Sequence, residues 1–318
     1  MILITGGLGF IGLNTARAFL EAGEDVVLTR YRTQREPEFL TPHLGRRAFV
    51  ESVDVLDAAS LLEAGRRHPI TGIVHLAGAA IAGLAPGDGL RATALGTLNV
   101  LEAASALGVR RVSLASSTTV YIGAAAELWR EDLPLPVASP YPIVAYKKLL
   151  EIVGDHYAAQ TKLSVVSLRI PLVYGPFYRS MNNLASRLVQ AAVTGVPGPL
   201  PAPGRPSAPV FEDDENWNLC YAVDCGEAIA RVQLAPALAH STYNIGGAAN
   251  VSNRELAEAV RKAVPGAKLA LQPGRSGAPR VAALDLDRIK ADTGWTPRYD
   301  IETGIADYVA CLRAGSPQ

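Results

Sequence analysis

The stretch ASPYPIVAYKKLLE, Ala138 to Glu151, carries two phenols, Tyr141 and Tyr146, and two ammonium groups, Lys147 and Lys148. A phenol and an ammonium can act together on a proton when they project from one helical face, which requires a spacing of about four residues. No tyrosine here stands four residues before a lysine. The stretch has the composition of a proton-transfer helix with one member displaced, and the chemistry of the chain turns on what fills that place.

A second motif is complete. ILITGGLGFIG puts Gly6, Gly9 and Gly12 after an apolar, strand-like run and at the start of a helical one. Such glycines permit a tight turn and let backbone approach a pyrophosphate at a helix N-terminus. The strand before, the helix after and the next strand, DVVLT, at the expected distance give the triplet its specificity. An acidic residue at the end of that second strand would bind the ribose hydroxyls of NAD. Arg30 stands there, with Arg32 and Arg35 close behind. A guanidinium suits a 2′-phosphate, so NADP is the preferred expectation and NAD the alternative. Asp54, in ESVDVLD, is a candidate acceptor for the adenine amino group, or a loop-capping aspartate.

These motifs sit in an α/β chain. ILIT, DVVLT, RAFVE, GIVHLA, RRVSLAS and LSVVSLRI read as strands, and segments near 10–22, 58–67, 90–107 and 143–161 as helices. The alternation predicts βαβ units and a doubly wound parallel sheet, its ligand beyond the carboxyl ends of the strands. After Gly175 the run VTGVPGPLPAPGRPSAPVFEDDENWN is rich in proline and glycine, either a lid or an irregular surface connection. Its FEDDEN portion reads as a solvated loop. Helices near 225–234, 252–264 and 301–313 follow, with STYNI as a short strand. The expected division is a dinucleotide-binding domain over 1–174, interleaved with segments near 219–248, and a smaller α/β substrate lobe over 175–318.

Thirty basic residues balance thirty acidic ones, so no global field favours nucleic acid or an anionic membrane. No apolar run approaches the roughly 20 residues that span a bilayer, and MILITGG lacks the form of a signal peptide, so a cytoplasmic location is expected. Cys220, Cys225 and Cys311 form neither a CxxC pair nor a zinc pattern, and the five histidines are scattered. Reduced thiols and no metal site are expected, and His75, in an apolar run, reads as a core residue.

With these residues in view, the chain resembles the extended short-chain dehydrogenase/reductase family, the NAD(P)-dependent epimerase/dehydratase group. TGGLGFIG is similar to its phosphate loop, VHLAG to the strand beside the cofactor and ALGTLNVLEAA to its central helix. SLASSTTVY is similar to its serine strand, RIPLVYGP to its switch into the substrate lobe, and YNIGG and LDLDRIKADTGWTP to its C-terminal elements. The resemblance implies a Rossmann-type fold. It places Gly6, Gly9, Phe10, Ile11, Gly12, Arg30, Arg32, Asp54, Val55, Leu76, Ala77, Gly78, Lys147, Pro171 and Val173 around the dinucleotide. Ser117, four residues before Tyr121, would bond the reacting oxygen, with Thr118 beside it. Lys147 would bind the nicotinamide ribose and lower the pKa of a tyrosine one helical turn before it.

The tyrosine is where the pattern departs. If Lys147 is the active lysine, its partner position holds Ile143; if Tyr146 is the active tyrosine, the lysine position holds Leu150. The first register is preferred, because Glu151 then falls one turn after Lys147, as the family pattern has it, and the proline-containing loop before the helix has the length that pattern implies. Tyr146 lies about 100° around the helix from Lys147, so Tyr141 ranks first as substitute. A substrate hydroxyl, a water or a residue of the proline-rich segment are the other candidates. Thr93 stands where the family usually has asparagine.

The resemblance implies hydride transfer at a carbinol or ketone carbon of a sugar-like or nucleotide-linked substrate. A tyrosine-independent dehydration or isomerisation, and a catalytically silent dinucleotide-binding protein, are the alternatives. Asn182, Asn183, Arg187 and Arg205, with Arg179, are candidate substrate contacts. The resemblance also implies a homodimer through the helices near 90–107 and 143–161.

Overall fold

The computed structural model describes the chain apart from residues 32–34, 36, 79–83, 203–207, 216–217, 279–280 and 316–318. In chain order the elements are β1 (Ile2–Thr5), α1 (Phe10–Glu21), β2 (Val26–Arg30), β3 (Ala48–Ser52), α2 (Ala58–Arg66), β4 (Gly72–His75), α3 (Pro86–Ala106) and β5 (Arg111–Ser117). There follow β6 (Leu128–Trp129), α4 (Pro142–Gln160), β7 (Ser164–Ile170), β8 (Leu172–Tyr174), α5 (Leu184–Thr194), β9 (Leu219–Tyr221), α6 (Ala222–Leu234) and β10 (Thr242–Asn244). The chain ends through α7 (Asn253–Ala263), β11 (Ala283–Leu284), α8 (Asp287–Thr293) and α9 (Ile301–Arg313).

Seven parallel strands form one sheet in the order β10-β7-β5-β4-β1-β2-β3. Strand β1 is buried along its whole length, as a central strand covered on both faces must be, and this is why ILIT reads as an unbroken apolar run. The order reverses between β1 and β4, which opens a crevice at their carboxyl ends. Thr5 closes the floor of that crevice. Its Oγ1 lies 2.7 Å from His75 Nδ1 and accepts from Ala77 N at 3.2 Å.

Beyond β7 the chain leaves this sheet, and α5, α7, α9 and β9 build a second apolar cluster. Helix α6 and strand β10 return to the first layer. β10 pairs with β7, and Gly226 of α6 packs so closely on α1 that a Cβ there would lie 2.5 Å from Asn14 O. The proline-rich run is tied to the second cluster by bridges Gly198–Leu269 and Phe211–Gln272. Its acidic part pairs with arginines, Glu212 and Asp213 with Arg254 and Glu215 with Arg275.

The sequence pattern missed α5, whose local signals are plain: Asn183 caps it by accepting from Ser186 N, and Gly195 ends it in the left-handed region. It missed α8 as well, and it started α3 four residues late, since Pro86 at the first helical position opens that helix. Among the described residues, no helix is long and apolar enough to cross a membrane, and no group of three or more His, Cys, Asp or Glu side chains is placed to hold a metal ion.

Helix α4 is fixed to the sheet by a buried ion pair. Arg169 on β7 donates Nε to Glu151 Oε1 at 3.0 Å and Nη2 to Oε2 at 2.8 Å, and Ser116 of β5 donates to the same carboxylate. The third face of the guanidinium meets the Tyr121 hydroxyl at 2.7 Å, and Tyr121 donates to Asn244 Oδ1 at 2.8 Å. Burial pushes the Tyr121 phenol up to about 12, so it is a fixed donor in this network. Removing one partner leaves the other charge buried and uncompensated. Glu151→Ala is expected to lower the unfolding free energy by about 3–5 kcal/mol in chemical denaturation, far more than an exposed pair such as Arg91–Asp88 contributes.

Candidate functional site

The crevice holds two adjoining cavities at the carboxyl ends of the strands. The first, of 660 Å³, lies between the ends of β2, β3 and β4 and helix α3, and Asp54, Val55, Leu76, Ala77 and Gly78 line it. The second, of 610 Å³, runs from the glycine turn across the end of β5, and Gly6, Gly9, Phe10, Ile11, Gly12, Ser117, Thr118 and Pro171 line it. Ile143, Lys147 and Leu76 line both.

The glycine turn is shaped by what a side chain would strike. Gly6 has φ +67°, a Cβ on Gly9 would lie 2.9 Å from Gly6 O, and one on Gly12 would lie 2.4 Å from that oxygen. No side chain caps α1 and no acidic residue occupies its first turn, so the positive end of its dipole meets the cavity unopposed. A cradle that only glycine fits, at an uncapped helix N-terminus, suits the pyrophosphate of a dinucleotide. Gly12→Ala, which forces a methyl group onto backbone, is expected to weaken dinucleotide binding at least tenfold in a fluorescence titration.

On the other side, Asn99 Nδ2 donates to Val55 O at 2.9 Å and holds the loop after β3 against α3. Asp54 Oδ1 accepts from Leu56 N at 2.9 Å, so the carboxylate shapes its own turn while facing the cavity. Arg30 is exposed at the end of β2 and donates Nε to Ser52 Oγ at 3.2 Å; Arg32 lies outside the described residues. Thr93 is buried and returns its hydroxyl to Gly89 O at 2.9 Å, a bond inside its own helix. Val173 is placed in the apolar core behind the cavity, with its carbonyl accepting from Asn183.

Helix α4 presents Ile143 and Lys147 to the crevice from one face, the i, i+4 relation in which a phenol would have stood at residue 143. Lys147 Nζ donates to Ala115 O at 2.5 Å, and burial, offset in part by the Glu151 charge, brings its ammonium down to about 8. His75 lies under the same cavity, and burial followed by the Lys147 charge holds it down to about 3, so its imidazole is neutral. Ser117 ends β5 with its Oγ accepting from Thr119 N at 3.2 Å, which aims the hydroxyl at the second cavity.

The two tyrosines of the motif go elsewhere. Tyr141 precedes α4 and is 59% exposed, outside the lining of both cavities. Tyr146 is buried against the first turn of α3, so close that a Cβ on Gly89 would meet its hydroxyl, and it edges only the first cavity. Among the substrate candidates, Asn183 is buried and both ends of its amide are engaged, Oδ1 in the α5 cap and Nδ2 on the Val173 carbonyl. Arg187 donates to Leu200 O at 3.2 Å within the second cluster, Asn182 is exposed, and Arg205 lies outside the described residues.

Among the second-cavity residues that sequence reasoning did not name is Tyr178. It sits in the turn after Gly175 with its ring edge-on to Phe10, the centroids 4.8 Å apart. No periodic pattern marks that turn, because its geometry depends on two non-glycine residues at positive φ, Phe177 and Met181.

A parallel sheet with a reversal crevice, a glycine cradle and a lysine beside a strand-end serine define a dinucleotide-binding protein of the oxidoreductase type. Residues 2–246 match the NAD dependent epimerase/dehydratase family, and the chain belongs to it. The relatives are enzymes of the extended short-chain dehydrogenase/reductase type. The chain is 30% identical to the "Probable UDP-glucuronate 4-epimerase" of Rhizobium meliloti (strain 1021), covering 96% of this chain and 95% of that one. It is 27% identical to the dTDP-glucose 4,6-dehydratase of an Actinoplanes strain, covering 98% of each. The solved structure of MoeE5 in complex with UDP-glucuronic acid and NAD is 26% identical, with a TM-score of 0.78 over 99% of both chains.

Because burial brings the Lys147 ammonium down to about 8, its charge is lost as pH rises through that value, and dinucleotide affinity is expected to fall with it. The ammonium attracts the anionic dinucleotide and the amine does not. Lys147→Met is expected to bind more weakly at neutral pH and to show no such pH dependence in the same titration.

Proposed function

We propose that this enzyme moves a hydride reversibly at the C4 carbinol of a UDP-linked sugar and so interconverts its epimers. What carries this reading is the lining of the second cavity. Among the described residues it has hydroxyls, backbone and Lys147, but no carboxylate and no imidazole. Elimination of water from a sugar calls for an acid to protonate the departing hydroxyl and a base to take a carbon-bound proton. The cavity supplies neither as a carboxyl or imidazole group, so dehydration is the weaker reading. Oxidation and reduction at one carbon need only an oriented oxygen, a proton relay and a hydride acceptor. The relative named for UDP-glucuronate and the MoeE5 complex with UDP-glucuronic acid support the substrate class.

When bound, the nicotinamide supplies the hydride acceptor and donor. The glycine turn and α1 would hold its pyrophosphate, Asp54 and Val55 the adenosine end, and Lys147 the nicotinamide ribose. Ser117 would orient the reacting sugar oxygen by hydrogen bonding. Ile143 and Leu76 form an apolar wall that keeps water from the transfer path.

For the cofactor we propose NAD, the form bound in MoeE5. Arg30 supports NADP by replacing the usual carboxylate, yet its Nε is already bonded to Ser52. A lower Kd for NADP than for NAD would restore the NADP reading. The assembly we propose is a homodimer through α3 and α4, whose outer faces expose Leu95, Leu98 and Ile152. The free thiols of Cys220, Cys225 and Cys311 suit a reducing cytoplasm.

The expected result with NAD and UDP-glucuronic acid or UDP-glucose is the appearance of the C4 epimer by proton NMR, with no loss of water. A 4-keto-6-deoxy product instead would establish dehydration.

A further inference from the structure

We infer that Tyr178, which stands outside α4 altogether, supplies the proton-transfer hydroxyl that Ile143 cannot. The inference rests on the hydride-transfer reading above. Of the tyrosines among the described residues, Tyr178 alone lines the cavity that also holds Ser117, Thr118, Ile143 and Lys147. The others are committed or remote: Tyr121 is locked between Arg169 and Asn244, Tyr146 is packed on α3, and Tyr141 faces outward.

Tyr178 is also held as a reacting group would be. Its hydroxyl oxygen accepts from Asn182 N at 3.1 Å and from Asn183 N at 3.2 Å. With two donors on its oxygen, the phenol's remaining function is to give its own proton. After the proton leaves, the same two amides face the negative oxygen, the arrangement that stabilises developing charge without reorganisation. The turn that carries it is strained at two places, Phe177 at φ 70° and Met181 at φ 51°. Phe177 is kept there by burial against Phe39 and under the Arg17 guanidinium, and Asn14 reaches from α1 to Pro176 O at 3.3 Å. Strain held in place by packing on both sides is characteristic of positions that serve a site.

The step balances with the hydride of the reduced nicotinamide. On reduction of the 4-keto sugar, the carbonyl carbon receives the hydride, the C=O π pair moves to oxygen, and the Tyr178 proton ends on that oxygen. On oxidation, the first half of the cycle, the sugar hydroxyl gives its proton to the Tyr178 phenolate, held by the Asn182 and Asn183 amides, as the hydride leaves carbon for the nicotinamide. Over one epimerisation the phenolate is regenerated.

The test compares Tyr178→Phe, Tyr141→Phe and the pair Tyr178→Phe with Ile143→Tyr. Each is assayed for epimerisation of the UDP-sugar, and each is titrated with NAD by fluorescence. Tyr178→Phe is expected to lose about 10²–10⁴-fold in kcat with NAD affinity retained. Ile143→Tyr, which restores a phenol one turn before Lys147, is expected to recover part of that loss. In protein labelled with 13Cζ-tyrosine, the resonance missing from Tyr178→Phe is expected to shift when UDP-glucuronic acid is added. A Tyr178→Phe variant with unchanged kcat, a loss confined to NAD affinity, or the full loss appearing in Tyr141→Phe instead would overturn the assignment and leave the functional reading standing. Absence of hydride transfer in the unaltered enzyme would overturn the functional reading and this assignment with it.

Discussion

The bidentate contact between Glu151 and Arg169 sets the register of everything chemical in this protein. A helix packed against a parallel sheet can slide or rotate at modest cost in apolar burial, but a buried carboxylate and guanidinium cannot separate without stranding two charges. By tying α4 to β7, and through Ser116 to β5, the pair fixes which residues of α4 face the crevice. Lys147 stands one turn before Glu151 and Ile143 one turn before that. The apolar wall at residue 143 is thus a consequence of a rigid frame, and a small rotation of α4 could not bring Tyr146 into its place.

The same frame explains why the lysine is perturbed while the serine needs no special help. Lys147 is drawn inward until its ammonium meets the Ala115 carbonyl, and burial outweighs the attraction of Glu151. His75, held against Thr5 beneath the crevice, stays neutral and adds no charge to the floor. Among the described residues, the cleft places the Lys147 ammonium, brought down toward neutral pH by burial, beside hydroxyls. That environment suits a reaction in which charge moves as hydride and proton together.

Much of this was legible in the sequence because it depends on local and periodic constraints. Buried parallel strands must be apolar throughout, and a pyrophosphate cradle must be glycine, so ILITGGLGFIG declared both β1 and the site at its end. The register that puts Ile143 and Lys147 on one face came from the family pattern through Glu151, and in the structure these two residues line both cavities while Tyr146 edges only the first. The residues that escaped are those whose roles depend on long-range geometry. Asn183 reads as a polar contact but caps α5, Val173 reads as part of a cofactor strand but is buried behind it, and Tyr178 lies in a turn shaped by two left-handed residues that no pattern announces. Tyr141 shows the limit most clearly: adjacency in sequence to α4 does not decide which way a side chain before its first turn will point.

Transfer of a hydride away from and back to one carbon of a nucleotide sugar is tested most directly by isotopic labelling. The measurement uses UDP-sugar deuterated at C4, with NAD, in ordinary water, and follows the label by mass spectrometry and deuterium NMR in substrate and epimer. The predicted result is deuterium retained at C4 in both epimers, with reduced cofactor appearing transiently. Epimerisation with deuterium lost to solvent would contradict it, because the label would then have left as a proton and not as a hydride.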